Sequence, residues 1–262
     1  MPERTILDTI LAHKKDEVAA RRSKMPDAEL RSRLVDLPPT RGFARSLHTP
    51  RIGQTALIAE VKKASPTAGL IRADFDPVSI AGIYETNGAA CLSVLTDEKF
   101  FQGRDAYLQE IRAAVSLPLL RKDFTVDPYQ IAEARVLGAD AILLIAMALT
   151  PDQIAEYRGQ AEALGLDVLV EVHTEDEMRT AVASGATLIG INSRDLRSFT
   201  TDLGIVDRLA PLAGGALLVA ESGIKTPADV ARVRSSGARA VLVGETLMRS
   251  PDIGAALRQL MG

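Results

Sequence analysis

The chain has 262 residues, 47% apolar and 25% charged, with a formal net charge of −3, which fits one large α/β domain or two small ones with a sizeable core. Its acidic and basic residues are interspersed without a basic block, arguing against nucleic acid or an anionic membrane as main partner. Cys91 is the one cysteine, so there is neither an internal disulfide nor a cysteine-rich metal site. No apolar run reaches the ~20 residues that span a bilayer and the N-terminus lacks a signal-peptide core, so the expected location is cytoplasmic.

The first ~50 residues differ from the rest. Thr5 with Asp8 resembles a capping box in which Asp replaces the usual Glu or Gln. Ile6, Leu7, Ile10, Leu11 and Val18 then trace one stripe of a helix ending near Lys24. A second charged helical stretch, roughly Asp27–Asp36, stops at Pro38-Pro39. Phe43 and Leu47 can tuck this segment against a larger body. Residues 1–50 thus read as a helical extension of one domain spanning 1–262.

From Thr55 onward, eight short apolar runs recur at Leu57–Val61, Ala90–Leu95, Leu117–Leu120, Ala141–Ala146, Val168–Val172, Leu188–Ile191, Ala216–Ala220 and Ala240–Val243. Their starts lie roughly 20 to 33 residues apart, the length of a strand–helix unit. Helical patterns fill the intervals at Val78–Asn87, Arg104–Val115, Pro128–Leu137, Pro151–Leu164, Thr174–Ser184, Asp202–Leu209, Thr226–Ser235 and Thr246–Met261. Asp127-Pro128 and Thr226-Pro227 read as helix starts, and Gly88, Gly138, Gly185 and Gly237 as helix ends. Eight βα units without an antiparallel hairpin signal predict a parallel sheet closed into a (β/α)8 TIM barrel. An open doubly wound sheet is the alternative, disfavoured because Gly-x-Gly-x-x-Gly and Walker-type motifs are missing.

Functional residues of such a barrel sit at the carboxyl ends of its strands. Side chains alternate along a strand, so Ile58, Glu60 and Lys62 point the same way. Alone, Glu60 and Lys62 read equally well as a salt bridge or as part of a site. The other ends add Lys122, Glu171 with His173, Asn192 with Arg194, Glu221-Ser222-Gly223 and Gly244-Glu245, while the fourth strand adds no charge. So many charges on one rim favour a site over packing. Ser222-Gly223 and Gly244-Glu245 are either plain turns or, after strands 7 and 8, a phosphate cradle. His173 reads as a supporting residue and Cys91 as core. Residues 63–77, holding Ser65, Pro66 and Gly69, read as a lid. Phe100, Phe101 and Phe124 near the rim suit either an aromatic ligand or loop anchoring.

These motifs together resemble the indole-3-glycerol-phosphate synthases of tryptophan biosynthesis. The resemblance rests on Ala59-Glu60-Val61-Lys62-Lys63-Ala64-Ser65-Pro66, Ser93-Val94-Leu95-Thr96 with Phe100-Phe101-Gln102-Gly103, Leu120-Arg121-Lys122-Asp123-Phe124, Val170-Glu171-Val172-His173, Gly190–Leu196, Ala220–Ile224 and Val243-Gly244-Glu245. Arg104, where a small residue often follows, and Ser193 depart from the family pattern. The resemblance implies closure of 1-(2-carboxyphenylamino)-1-deoxyribulose 5-phosphate to indole-3-glycerol phosphate, losing CO2 and water, with neither metal nor organic cofactor. It implies Lys122 as general acid, Glu171 as acid/base partner, Glu60 as stabiliser of positive charge and Lys62 as partner of the substrate's anions. It also implies Ser65, Phe101, Phe124, Asn192, Arg194 and Glu221 around the substrate, and Ser222, Gly223, Gly244 and the backbone of Glu245 on its phosphate. The partner is thus a small phosphorylated aromatic molecule; the oligomeric state, a monomer included, stays open. The alternatives are another phosphate-binding barrel enzyme, such as a phosphoribosyl isomerase or Schiff-base aldolase, and a non-catalytic ligand-binding barrel. Of the two lysines, Lys122 is expected to be the more confined, with its pKa lowered by desolvation.

Overall fold

In a computed structural model, which describes residues 5–50, 52–195 and 200–262, the apolar runs form the strands of one closed parallel barrel. The strands are Ala56–Val61, Cys91–Leu95, Leu119–Lys122, Ala141–Ile145, Asp167–Val172, Leu188–Asn192, Leu217–Glu221 and Ala240–Val243, and the first pairs with both the second and the last. Helices pack outside, so the strands are buried on both faces and their sequences are near-continuous apolar runs rather than alternating ones. Leu196, the end of one family-like motif, lies outside the described residues.

The helix signals are borne out locally. Thr5 and Asp8 form a reciprocal capping box on the arm helix Ile6–Lys24, and Thr226 forms another with Asp229. Asp127 accepts a bond from Tyr129 N at 2.8 Å, although the helix itself starts at Tyr129. Gly88, Gly138, Gly185 and Gly237 all have positive φ, which a side chain would resist. Three details differ. The second arm helix is only Asp27–Ser32. The last helical stretch breaks into Glu245–Met248 and Ile253–Met261 around Pro251, which cannot donate an interior helix bond. The loop read as a lid contains a two-residue antiparallel ladder, Ala64-Ser65 with Gly69-Leu70, too short to show as alternation.

The arm touches the barrel at both ends. At the bottom, the turn Phe43–Ser46 places Phe43 and Leu47, each essentially unexposed, among Ile58, Cys91, Leu169, Leu188 and Ala240 of the barrel interior. Cys91 is core, as its position implied. Buried Asp140 accepts from Arg41 N and Leu119 N and pairs with Arg112 at 2.7 Å, tying that turn to the third strand. Higher up, Lys14 of the arm helix is wholly buried and pairs with Asp97 at 2.9 Å and Asp123 at 2.8 Å, just beyond the second and third strands. No described helix is long and apolar enough to cross a membrane.

Candidate active site

Strand register decides which side chains meet. Parallel pairing sets Glu60 beside Ser93, Leu95 beside Lys122, Ile145 beside Glu171 and Asn192 beside Glu221. All these charges fall at the carboxyl ends, and period-two alternation turns them inward. They line one cavity of about 180 Å³ at that mouth. Every residue singled out above for catalysis, substrate or phosphate lines it: Glu60, Lys62, Ser65, Phe101, Lys122, Phe124, Glu171, Asn192, Arg194, Glu221, Ser222, Gly223, Gly244 and Glu245. His173 and Phe100 do not. Phe100 packs edge-on against His13 of the arm, whereas Phe101 and Phe124 face each other with centroids 6.1 Å apart.

The centre is an ammonium between two acids. Lys122 Nζ is 2.9 Å from Glu171 Oε2 and 2.8 Å from Glu221 Oε2, while Asn192 donates to Glu171 Oε1 at 3.1 Å. Lys62 Nζ lies 2.7 Å from Glu60 Oε2, so the salt bridge and the site are the same pair of residues. Two glycines make room for these carboxylates. A Cβ at Gly190 would stand 2.0 Å from Glu221 Oε1, and one at Gly244 would stand 2.4 Å from Glu60 Oε2. Neither space is legible from a strand sequence.

Burial favours the neutral form of both acids, but their neighbours separate them. The Lys122 ammonium, then His173 and the hydrogen bonds from Lys122 and Asn192, bring Glu171 down to about 2. Glu221, desolvated and repelled by Glu171 against the opposing pull of Lys122, is pushed up to about 7. Near neutral pH one acid is therefore a carboxylate and the other can hold or release a proton. The expectation for Lys122 is overturned. Burial alone would lower its pKa, but Glu171, Glu221 and Glu60 together hold it well above the usual lysine value. Nor is it more confined than Lys62, the two side chains being 14% and 15% exposed.

After the seventh strand, Ser222 and Gly223 both take positive φ, unusual for serine, and a Cβ on Gly223 would approach Thr201 Cγ2 to 2.6 Å. Glu245 turns its carboxylate to Arg249 at 2.9 Å and Arg194 at 3.6 Å, leaving backbone toward the turn. Arg194 also donates to Thr67 of the lid at 3.2 Å. Arg104 projects over the Tyr107 ring, outside the cavity lining. Sequence reasoning missed the arm's share: Ile6, Leu7 and Ile10 roof the cavity, and Leu143 and Ile145 of the uncharged fourth strand form part of its wall. The arm's apolar stripe was visible, but its target was not.

A closed parallel barrel with paired acids and ammoniums at its carboxyl mouth defines the chain as a (β/α)8-barrel enzyme. Solved structures of like fold include a 3-hexulose-6-phosphate synthase (TM-score 0.65, 16% identity, 79% of this chain and 98% of that one) and a mandelate oxidase (TM-score 0.61, 16% identity, 89% of each). At that identity they speak to fold alone. The family model for indole-3-glycerol phosphate synthase matches residues 7–260. An indole-3-glycerol phosphate synthase of Rhodopirellula baltica is 52% identical over 258 residues, covering 98% of this chain and 99% of its own. One from Roseiflexus sp. is also 52% identical, covering 98% of each. The chain belongs to the indole-3-glycerol phosphate synthase family, carboxy-lyases of tryptophan biosynthesis.

Proposed function

We propose that the cavity residues share out the family's reaction, closure of 1-(2-carboxyphenylamino)-1-deoxyribulose 5-phosphate to indole-3-glycerol phosphate, and the observation that carries the assignment is the Lys122–Glu171–Glu221 cluster. The ring carbon bearing the carboxylate attacks the ketone carbon. Lys122 gives a proton to the ketone oxygen, which becomes a hydroxyl. Its raised pKa makes it a weak donor in the resting site but keeps it fully protonated, and an ammonium at the developing alkoxide stabilises charge where it forms. Positive charge left on the anilino nitrogen faces Glu60. CO2 then departs, its bonding electrons restoring the aromatic ring. In the last step the hydroxyl takes a proton from Glu221, which can hold one near neutral pH, and leaves as water, while Glu171 takes a proton from the neighbouring methylene carbon to complete the indole.

Lys62 pairs with the substrate's anionic groups once they displace Glu60 as its partner. Asn192, Arg194, Glu221 and Ser65 orient the chain, and Phe101 and Phe124 receive the aromatic ring. Backbone N–H groups of Ser222, Gly223, Gly244 and Glu245 hold the phosphate, consistent with the Glu245 carboxylate being engaged by Arg249. The arm and barrel act as one domain, in the cytoplasm and without nucleic acid as partner. The test is direct because the protein has no Trp. Adding the anilino-deoxyribulose phosphate should produce indole fluorescence, with inorganic phosphate competing. Absence of an indole signal from folded protein refutes the activity; phosphate that fails to compete refutes the cradle.

A further inference from the structure

The imidazole of His173 has no task in this scheme, yet it stands against the base. It is 6% exposed and lies two residues beyond Glu171 on the same chain direction, so both side chains turn to the interior. Glu177, in the first turn of the helix Glu175–Ala183, clamps it from one side. One Glu177 oxygen accepts the His173 backbone N–H at 2.7 Å and lies 3.3 Å from Nδ1. A carboxylate there keeps a proton on Nδ1. The opposite nitrogen, Nε2, is buried without a hydrogen-bond partner among the described residues and lies 3.5 Å from Glu171 Oε1. Carrying a lone pair, Nε2 would repel that oxygen; carrying a proton, it attracts it.

We propose that His173, locked by Glu177, is a positioning residue that directs positive charge at Glu171 and keeps it ionised for the dehydration step. The inference rests on the reading of Glu171 as base. The need arises from charge count. While Lys122 holds its proton, one ammonium serves both Glu171 and Glu221. After it has protonated the ketone oxygen, Glu171 retains Asn192 and His173, and without a cation nearby a buried carboxyl reverts to its neutral form. The groups facing the ring are Glu171 from its own strand, Glu177 from the helix and Glu221 from the seventh strand. All three are acidic. Burial works against the imidazolium, but these carboxylates raise its pKa nonetheless.

The test compares kcat from pH 5 to pH 8 for the parent, His173→Gln and Glu177→Gln, with Glu171→Gln alongside. If His173 supplies charge, the loss in His173→Gln grows as pH falls, by about tenfold between pH 8 and pH 5, because Glu171 is then protonated in the complex. Glu177→Gln, which only loosens the clamp, should show the same trend more weakly. It lies on a surface helix, so it decides the matter alone should His173→Gln fail to fold. A loss that is uniform with pH, or no loss, in Glu177→Gln and any folded His173→Gln overturns the proposal. Near-normal kcat in Glu171→Gln overturns the reading of Glu171 itself, and the proposal with it. An inactive Glu171→Gln beside flat pH profiles in the other two refutes the role of His173 while leaving that reading intact.

Discussion

Replacing Lys14 by methionine leaves an unbranched apolar side chain one heavy atom shorter and removes the ammonium with its donors. Lys14 is 0% exposed, with its ammonium 2.9 Å from Asp97, 2.8 Å from Asp123 and 3.0 Å from Glu17. Each deep carboxylate also organises a loop. Asp97 Oδ1 caps the turn Glu98–Phe101 through Phe100 N at 2.8 Å, and Asp123 accepts from Phe124 N and Thr96 Oγ1, both at 2.8 Å. Breaking a buried ion cluster by removing one partner costs about 3–5 kcal/mol, because the remaining charge is stranded. Arg121, 3.5 Å from Asp123, and the backbone donors keep part of the compensation, so the lower figure of about 3 kcal/mol applies. For a chain of this size that is a fall in Tm of roughly 6–12 °C, read by circular dichroism during a thermal scan. Burial raises the Asp123 carboxyl, but Lys14 and Arg121 more than offset this and hold it below its ordinary value of 3.8. Its contribution is thus present above that pH and lost on acidification, so parent and variant should converge at low pH. Adding Asp97→Asn and Asp123→Asn to the variant should recover part of the loss. A Tm within about 2 °C of the parent at neutral pH, with no convergence in acid, would refute the account.

Three further outcomes follow from the cavity. Lys122→Met should lose kcat by about 10²–10⁴-fold, while Lys62→Met should mainly raise KM; steady-state kinetics with the two effects reversed would exchange their roles. Gly190→Ala should lower kcat by about a hundredfold with an unchanged circular dichroism spectrum, because its methyl group takes the space of Glu221 Oε1; full activity would show that Glu221 can sit elsewhere. Glu221 is raised from 4.5 to about 7, so the folded state binds the extra proton and its stability should fall as pH rises through that window. Denaturant titrations at pH 5 and pH 8 should find that slope flattened in Glu221→Gln, and an equal slope in both proteins would contradict the assignment.

The barrel was legible because burial on both faces writes each strand as an uninterrupted apolar run, and a charge at its end then has one natural location. That logic placed Glu60, Lys122, Glu171 and Glu221 around one cavity. It was weaker wherever the answer depends on what lies across space. Lys14 reads as one more charge in a polar helix, since nothing nearby in sequence announces Asp97 or Asp123. The expected direction for the Lys122 pKa is wrong for the same reason: strand position reveals burial, but not the three acids that outweigh it. Short geometry was hidden as well, as in the lid's two-residue ladder and the break at Pro251.

The plug at the barrel's bottom bears on how the molecule is made. Phe43 and Leu47 are synthesised almost two hundred residues before Ala240, yet Ala240 is part of their seat. The first strand likewise waits for the last, pairing Ala56 with Ala240 and Ala59 with Val243. Closure therefore depends on contacts separated by most of the chain, which are slow to form. Until the eighth strand has been made, the arm has only provisional partners and its apolar residues stay open to other chains. Slowing translation before the first strand should change little, whereas losing the eighth strand should take one wall from the plug's socket and open the barrel interior to aggregation.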